Sequence, residues 1–301
     1  MEDGSAFEAD LVIAADGIGS KCRQYLPGAE DIAPTAWDEH AYRFVLSKER
    51  MLSNSTTASL MNSHESYSWV GPHTVVMAYK VAAGDLFNVV ISTHRPNPGA
   101  PPESWTYPGD VETMRQLVSG WCPEVQALTS LIEDGECKLW TFGEISGLPA
   151  YSSPSGRFVV IGDAAHAVIP HAGQGVGMAV EDAASLAEFL NHLTSIGDPS
   201  KVMREWSTFR YARVENIRRM SHANAGVLLL PDGPEQVVRD EQWAAIMSKM
   251  KINPTKPSQR PAPNPDAKSI MDPQGAMWAL GWDVFKESRQ VCMQYLQAWK
   301  Q

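Results

Sequence analysis

One segment, Gly156–Leu186, constrains the fold of this chain more than any other, because it predicts a strand, a tight turn and a long helix in succession. The letters RFVVIGD at Arg157–Asp163 form a short apolar run, which is typical of a strand buried on both faces of a parallel sheet. A helix is predicted from about Gly175 to Leu193, where apolar side chains recur at three- or four-residue spacing. These apolar positions are Val176, Val180, Ala183, Leu186, Leu190 and Leu193. The segment therefore predicts an α/β fold.

The turn between this strand and this helix has the chemistry of a ligand site. Gly162 ends the strand, and a glycine there lets the backbone approach a ligand closely. Asp163 follows at the carboxyl end of the strand, where α/β sheets bind ligands, and its carboxylate can accept hydrogen bonds from sugar-like hydroxyls. The stretch Pro170–Gly175 then leads into the helix, whose first free N–H groups and positive dipole end stabilise an anion.

A second strand-and-turn segment, DLVIAADGIGSKCR, lies at Asp10–Arg23. Its apolar run Leu11–Asp16 predicts another strand buried on both faces, which Gly17 ends. Taken alone, either segment is also explained by an ordinary turn of an α/β protein. Between the two, Ala41–Ile91 predicts several strands, because β-branched and aromatic runs are separated by Gly, Pro, Asn and Ser. The four runs are AYRFVL, TTASLM, TVVMAYKV and LFNVVIS.

The remaining segments predict loops and helices. Arg95–Pro108 is rich in proline and predicts a loop, and a helix follows from its N-cap Asp110 to about Gly120. Gly197 and Pro199 are expected to end the first long helix. The other predicted elements are a second amphipathic helix at about 201–223, a Pro-rich surface linker at 253–273, and a last helix at 277–299 that packs Trp278, Trp282 and Phe285.

Composition and charge exclude several classes of partner. The 301 residues carry a formal net charge of −10 with no block of Lys and Arg, so nucleic acid and anionic lipid surfaces are not expected partners. No run of about 18 apolar residues predicts a transmembrane segment, and the acidic N-terminus lacks the apolar core of a signal sequence. The cysteines have the spacing of neither a zinc site nor a disulfide framework, which indicates reduced thiols in a cytoplasmic protein. They are Cys22, Cys122, Cys137 and Cys292.

Other catalytic chemistries find no support in the residue patterns. His166 and His171 lie near Asp163, but no third or fourth ligand accompanies them, so no metal site is predicted. The chain holds neither the GxSxG elbow of a hydrolase nor the GxxxxGK[ST] loop of an NTPase. The run Gly173–Gly177 superficially resembles a dinucleotide loop, but its third glycine falls one place early.

The segments Asp10–Arg23 and Gly162–Ala183 resemble the DG and GD motifs of class A flavoprotein monooxygenases, the family of salicylate hydroxylase and para-hydroxybenzoate hydroxylase. The two motifs occur in the family's order, with a β-rich segment between them. The resemblance implies an α/β (α+β) fold: part of an FAD-binding three-layer ββα domain of the para-hydroxybenzoate hydroxylase type, with a β-rich substrate domain inserted and C-terminal helices. The implied segments are 1–28 and 146–200 for the FAD-binding domain, 29–145 for the substrate domain, and 201–301 for the C-terminal helices with their linker.

The resemblance also implies a set of cofactor-binding residues. Asp163 is expected to bind the ribityl chain of FAD, and Pro170–Gly175 to line the flavin pyrimidine. Asp16 and Arg23 resemble the DG residues that the family links to both FAD and NAD(P)H binding. The implied set is Asp16, Arg23, Gly162, Asp163, Pro170, Gly173, Gln174, Gly175 and Val176.

Four further residues are assigned roles by the same resemblance. Arg43 and Tyr79 are the candidate catalytic residues, since matching residues in some relatives reach the flavin or hold a phenolate. A cation beside a phenol stabilises its ionised, electron-rich form. The alternative is that Arg43 is a half-exposed strand residue with a surface partner and Tyr79 a core residue. Glu181 and Asp182 are expected to act mainly in helix and loop packing.

The implied function is that of an FAD-dependent monooxygenase. It would use NAD(P)H and O2 to hydroxylate an aromatic, phenolic small molecule through a flavin C4a-hydroperoxide. Epoxidation of an alkene is the alternative outcome of the same cofactor chemistry. In each case the cofactor performs the difficult step, while the protein supplies orientation, a dry pocket and electrostatics.

The family's GxGxxG unit, which binds the FAD pyrophosphate, is absent from these 301 residues. Three explanations stay open: a truncated gene model, a fragment that joins a partner carrying that unit, and a decayed, catalytically incomplete paralogue. Loss of the unit would uncover apolar strand surface and an open sheet edge. The sequence therefore predicts that the chain alone is poorly soluble or binds FAD weakly.

Overall fold

A computed structural model describes residues 5–63, 65–94, 106–192, 197–249, 261–267 and 269–299. Most of the predicted loop at 95–108, part of the predicted linker at 253–273, and Leu193 lie outside those residues. The chain divides into two compact units. Unit 1 comprises Met1–Thr35, Gly143–Asn224 and Pro254–Gln301, and unit 2 comprises Ala36–Phe142 and Ala225–Asn253. The four segments predicted from the sequence stay a prediction.

The described residues form seven strands and ten α-helices. The strands are β1 (Val12–Ala14), β2 (Thr35–Ser47), β3 (Tyr67–Gly71), β4 (Thr74–Val81), β5 (Leu86–Thr93), β6 (Lys138–Glu144) and β7 (Phe158–Val160). The helices are α1 (Lys48–Leu52), α2 (Ser55–Leu60), α3 (Val111–Leu117), α4 (Pro123–Ser130), α5 (Asp163–His166), α6 (Gly175–Asn191), α7 (Pro199–Leu228), α8 (Pro234–Lys249), α9 (Pro273–Leu280) and α10 (Val284–Trp299). A two-stranded sheet pairs β1 with β7, and a five-stranded sheet has the order β3-β4-β5-β2-β6.

The small sheet of unit 1 is parallel, with Ile13 opposite Val159. Val159 and Val160 are completely buried, whereas Val12 and Ile13 are 48% and 47% exposed. The prediction that the first strand is buried on both faces is therefore wrong for these two residues. The reason is that β7 is the only strand beside β1 within the described residues.

Helix α6 begins at the predicted residue and ends at Asn191, but only the C-terminal part of its predicted apolar stripe is buried. Leu186 is buried, whereas Val176 and Val180 are 82% and 62% exposed. The face that α6 buries carries Asp182 and Ser185 among its members, and both are paired with polar groups of α7. Hydrophobicity alone therefore does not mark the buried face of this helix.

Helix α7 is longer than predicted at both ends. Pro199 begins this helix, so the prediction that it ends the preceding one is wrong. Asp198 accepts a hydrogen bond from the Ser200 N–H, as an N-cap does. A proline fits the first turn because its missing N–H has no partner there in any case.

The predicted last helix is in fact two helices, α9 and α10. Helix α9 ends at Leu280, and the N–H of its C-cap, Gly281, donates to Met277 O. Phe285, near the start of α10, is 50% exposed, so the prediction that it packs is wrong. Trp278 and Trp282 are half-buried, and their rings pack against the guanidinium of Arg213.

Unit 2 confirms three of the four predicted strands. The runs AYRFVL, TVVMAYKV and LFNVVIS lie in β2, β4 and β5, which pair antiparallel. The prediction of a strand for the run TTASLM is wrong, because this run forms most of α2. Asn54 caps that helix by accepting the Thr56 N–H, and the Thr57 hydroxyl donates to Met51 O, so local side-chain bonds outweigh strand propensity. Asp110 caps α3 as predicted, accepting the Thr113 N–H.

The unit 2 sheet buries one face and leaves part of the other open. Its buried face contributes Tyr42, Phe44 and Leu46 of β2 to a core shared with α3 and α4. The alternate residues Arg43 and Val45 are exposed, as are Met77 and Tyr79 of β4. This alternation follows the two-residue period of a strand.

Candidate active site

The two sequence motifs meet at the carboxyl ends of β1 and β7. Ile161 donates its N–H to Ala14 O over 2.9 Å, which continues the parallel pairing beyond the strands. The segment after β1 is joined to α5 by Arg23, whose Nη1 donates to Ala164 O over 2.8 Å. Asp16 and Asp163 therefore lie on neighbouring loops at one edge of the small sheet.

The turn between β7 and α5 depends on a glycine. Gly162 has φ 59° and ψ −146°, a conformation that is essentially restricted to glycine. Its N–H donates to Asp182 Oδ2 over 2.8 Å. Asp163 follows as the first residue of α5, with an exposed side chain. We call Gly162–Asp163 the GD turn.

The loop from Pro170 to Gly175 delivers the chain to the start of α6. A 3-10 turn spans Pro170–Ala172, Gly173 adopts the left-handed conformation with φ 61°, and Gln174 is the N-cap. Two residues of α7 hold this loop from its buried side. Ser221 Oγ donates to Ile169 O and accepts the Ala172 N–H, and Asn224 Nδ2 donates to His171 O.

The exposed side of the loop is open and fits a flat, partly anionic ring. Nothing lies within 4 Å of a Cβ built on Gly173 or Gly175. The N–H groups of the first turn of α6 have no intrahelical partner, and the helix dipole places partial positive charge there. Val176 and Val180 add an exposed apolar strip one turn apart on α6. The residues present thus match the chemistry of a flavin: apolar contact, amides for an anion, and Asp163 for hydroxyls.

Asp16 uses its carboxylate to close its own loop. Oδ1 accepts from the Ser20 hydroxyl at 2.6 Å, and Oδ2 from the Lys21 and Cys22 N–H groups at 2.8 and 3.1 Å. Partial burial raises the pKa of Asp16, but the hydrogen bonds from Ser20, Cys22 and Lys21 outweigh it and hold the pKa below its usual value. The carboxylate is nevertheless exposed and retains lone pairs for a ligand.

Arg23 is buried, and its guanidinium binds backbone oxygens of the protein. Besides Ala164 O, it donates to Ile32 O over 3.2 Å and to Ile18 O over 3.0 Å. With 2% of its surface exposed, it ties the DG segment to α5. The structure therefore gives Arg23 a positioning role, and its direct contact with a cofactor stays a prediction.

Comparison with known proteins places this geometry in a family. The FAD binding domain family matches residues 136–220, which contain β7, the GD turn and α6. The FAD-dependent monooxygenase atnJ of Arthrinium sp. is 31% identical over 245 residues, covering 81% of this chain and 57% of the relative. The 3-amino-4-hydroxybenzoate 2-monooxygenase PtmB3 of Streptomyces platensis is 31% identical over 240 residues, covering 79% of this chain and 56% of the relative. A crystal structure of CtdE in complex with FAD and a substrate matches with a TM-score of 0.74 and 25% identity, over 99% of this chain and 66% of that chain.

The chain belongs to the class A flavin-dependent monooxygenases. The resemblance drawn from the DG and GD motifs is confirmed, and so is the fold class, a mixed α/β chain of the para-hydroxybenzoate hydroxylase type. The chain spans little more than half the length of these curated relatives, 57% of atnJ and 56% of PtmB3.

A buried charge network lies beneath the GD turn of this class A chain. Asp182 Oδ2 lies 2.6 Å from His166 Nε2, and Asp182 Oδ1 accepts a hydrogen bond from Arg210 Nε over 2.7 Å. Arg210 also reaches Glu181 Oε2 at 2.9 Å, and Arg213 reaches Glu181 Oε1 at 2.9 Å. The Arg213 guanidinium lies over the rings of Trp278 and Trp282, at 4.3 and 4.5 Å from their centroids.

The network keeps Asp182 ionised. Burial raises the pKa of the Asp182 carboxyl, but the hydrogen bond from His166, the charge on Arg210 and the Gly162 N–H outweigh that effect, so the pKa lies below its usual value. Sequence reasoning assigned Asp182 to packing and did not single out Arg210. The sequence offers no local signal for this pair, because Arg210 lies 28 residues after Asp182 and its burial follows only from the folded structure.

The two candidate catalytic residues belong to unit 2, on the open face of its sheet. Arg43 on β2 pairs with Val90, and Tyr79 on β4 pairs with Asn88, so both lie beside the central strand β5. Arg43 Nε donates to Asn88 Oδ1 over 3.0 Å, while Asn88 Nδ2 is buried without a partner among the described residues. Tyr79 is 38% exposed and thus outside the core. Sequence reasoning missed Asn88, whose signal was one amide inside the apolar run LFNVVIS.

Two kinds of feature are absent from the described residues. No group of three or more His, Cys, Asp and Glu side chains there is arranged to hold a metal ion. No helix in that part of the chain combines the length and apolar character needed to cross a membrane.

Proposed function

We propose that this chain binds FAD at the GD turn and acts as an NAD(P)H-consuming monooxygenase that hydroxylates a phenolic small molecule. One observation carries the proposal: the exposed Asp163 carboxylate lies on the same motif as the open, amide-bearing start of α6. The reaction balances when NAD(P)H supplies two electrons, one oxygen atom of O2 enters the ring, and the other leaves as water.

Each part of the motif has a defined task in this proposal. Asp163 accepts hydrogen bonds from the ribityl hydroxyls, as its position after a parallel strand favours. The first N–H groups of α6, at Gly175 and Val176, stabilise negative charge on the pyrimidine side of the ring. Val176 and Val180 supply apolar contact. FAD, when bound, carries the electrons from NAD(P)H to O2 and delivers the oxygen atom.

Arg43 and Tyr79 are proposed to act on the substrate. The Arg43 guanidinium is a permanent cation, which stabilises a phenolate over a neutral phenol. Within the described residues its guanidinium donates to the neutral amide of Asn88, and that contact does not neutralise its charge. Tyr79 offers a hydroxyl on the same sheet face. A phenolic substrate agrees with the name of the relative PtmB3, a 3-amino-4-hydroxybenzoate monooxygenase.

The test is product analysis with labelled oxygen. The purified chain is incubated with FAD, NADH or NADPH, oxygen-18 gas and a panel of phenols and aminophenols. We expect a phenolic product heavier by one oxygen-18 atom, with NAD(P)H consumed in equal amount. The Asp163→Asn variant should lose most of this turnover, whereas the Asp31→Asn variant, which alters an exposed carboxylate outside both sequence motifs, should keep it.

Three outcomes count against the proposal. An epoxide product would replace hydroxylation with the alternative chemistry. NAD(P)H oxidation that does not depend on FAD, or none at all, would contradict flavin catalysis by this chain. Equal turnover of the Asp163→Asn and Asp31→Asn variants would remove the GD turn from the site.

A further inference from the structure

Helix α5 contains four residues, Asp163–His166, and it is held at both ends by one oxygen atom. At its start, the Gly162 N–H donates to Asp182 Oδ2 over 2.8 Å. At its end, His166 Nε2 lies 2.6 Å from the same Oδ2. A single-turn helix has no stability of its own in water, so contacts of this kind decide its orientation.

We propose that Asp182 is the positioning residue of the flavin site, acting through α5 on the direction of the Asp163 carboxylate. The inference rests on the proposed function, since Asp163 is there the residue that meets the ribityl chain. It goes beyond the packing role expected of Asp182, because it assigns the orientation of a ligand-binding carboxylate to a side chain that a ligand cannot touch. Asp182 is completely buried, whereas Asp163 is exposed.

Gly162 makes this link possible. Its φ of 59° and ψ of −146° turn the chain sharply between β7 and α5. That conformation is of high energy for most residues and persists where surrounding contacts fix it. The contact that fixes the Gly162 N–H is the Asp182 carboxylate. Without it, the amide would be a buried donor lacking a partner, and the turn would relax toward other conformations.

Asp182 is itself held rigidly. Arg210 Nε binds its second oxygen, Oδ1, over 2.7 Å, and both side chains are sealed from solvent. Arg210 is also bound to Glu181, which Arg213 binds in turn. Two carboxylates and two guanidinium groups therefore balance each other, and the position of Oδ2 is set by helices α6 and α7 together.

The test compares the Asp182→Asn variant with a matched control. Asparagine has the shape of aspartate, but one of its two terminal groups is an NH2 donor. The carboxylate of Asp182 contacts Gly162 N–H, His166 Nε2 and Arg210 Nε, so asparagine loses at least one of these contacts. The control is Ser207→Ala, because Ser207 Oγ is also a buried acceptor for a backbone N–H, that of Tyr151, over 2.8 Å. It lies in unit 1, and its hydrogen bond to Tyr151 lies outside the GD turn and α5. Both variants are expected to lower the unfolding midpoint.

Two readouts separate positioning from general stability. The first is amide hydrogen exchange of the peptide covering residues 161–168, which needs no cofactor. The second is the dissociation constant for FAD, measured by flavin fluorescence. Asp182→Asn should accelerate exchange in that peptide and raise the dissociation constant by about tenfold or more, a change equivalent to one lost charged hydrogen bond. Ser207→Ala should leave both within about twofold of the parent chain, since its contact is elsewhere.

The inference is overturned if Asp182→Asn changes exchange and FAD affinity no more than Ser207→Ala does. If Asp182→Asn does not fold, His166→Phe serves the same purpose, because it releases only the far end of α5 and keeps the pair of Asp182 and Arg210. The same two readouts then decide. The Asp163→Asn variant distinguishes the two proposals. If it leaves FAD affinity unchanged, the proposed function fails, while exchange at 161–168 still reports whether Asp182 sets the turn.

Discussion

Arg210 Nε lies 2.7 Å from Asp182 Oδ1, and neither side chain exposes more than 1% of its surface. Burying two charges is unfavourable by itself, so the pair persists because the two charges attract each other and Arg210 Nη2 also binds Glu181 Oε2 and Met178 O. Arg210 Nη1 is buried without a partner among the described residues. Arg210 comes from α7 and Asp182 from α6, so the pair fastens α7 to α6, the helix at whose start we propose the flavin site.

Removal of the buried arginine is the first prediction. Arg210→Met should lower the free energy of unfolding by about 3–5 kcal/mol, because it leaves the Asp182 carboxylate without its cation in a dry interior. Arg157→Met is the control, since the exposed pair of Arg157 and Asp10, at 3.5 Å, contributes about 0–1 kcal/mol. Urea unfolding of both variants measures the difference. Equal losses of unfolding free energy in the two variants would show that the buried Arg210–Asp182 pair stabilises the fold no more than the exposed pair does.

The second prediction concerns the stability of the fold at low pH. The pKa of Asp182 is lowered in the folded chain, so in acid the unfolded chain binds a proton that the folded chain refuses. Stability from Asp182 is therefore complete above the usual aspartate pKa of 3.8 and is lost as the pH falls below it. The unfolding midpoint measured from about pH 5 to pH 3 should fall more steeply for the parent chain than for Asp182→Asn. Identical slopes for the parent chain and Asp182→Asn would refute the assignment.

A third prediction rests on one glycine. Gly156 has φ 68°, and a Cβ built there lies 2.2 Å from the backbone oxygen of Pro199. Gly147 has φ 79° but open space around its Cβ position. Gly147→Ala should therefore lower the free energy of unfolding by the left-handed conformation alone, about 1–2 kcal/mol. Gly156→Ala should lower it by about 1–3 kcal/mol more, because backbone must move. Comparable unfolding midpoints would contradict the close approach of Gly156 to Pro199.

The fourth prediction concerns thiols. Cys137 and Cys292 are buried, and burial raises the pKa of their thiols to about 12 and about 11. Only the thiolate reacts with iodoacetamide, so at about pH 8 both should stay unmodified in the native chain. Cys22 and Cys122 are partly exposed and should react first, with all four modified after unfolding in urea. Mass spectrometry of tryptic peptides gives the order, and early modification of Cys137 would contradict its burial.

Sequence reasoning succeeded where a pattern is local. The run TVVMAYKV coincides with β4, because β-branched residues bounded by turns favour a strand whatever its surroundings. Asp110 was identified as an N-cap from the residues next to it. The GD turn was predicted correctly, because Gly162 and Asp163 directly follow the apolar run that forms β7. Each of these depends on a few neighbouring residues.

It failed where distant residues decide the outcome. Val176 and Val180 have helical spacing and were placed on one apolar stripe with Leu186, yet they are exposed whereas Leu186 is buried, because periodicity does not show which residues of a stripe reach the core. Asp182 and Arg210 are 28 residues apart, and no local pattern indicates that they meet. The run TTASLM became a helix because Asn54 and Thr57 bond to nearby backbone.

Amide hydrogen exchange of this chain with and without saturating FAD tests the central claim most directly. We expect FAD to slow exchange in peptides that contain Gly162–Asp163 and Gly173–Gly177, since the first N–H groups of α6 would meet the flavin. Unchanged exchange in both peptides, or protection confined to another part of the chain, would show that the flavin does not bind at the GD turn.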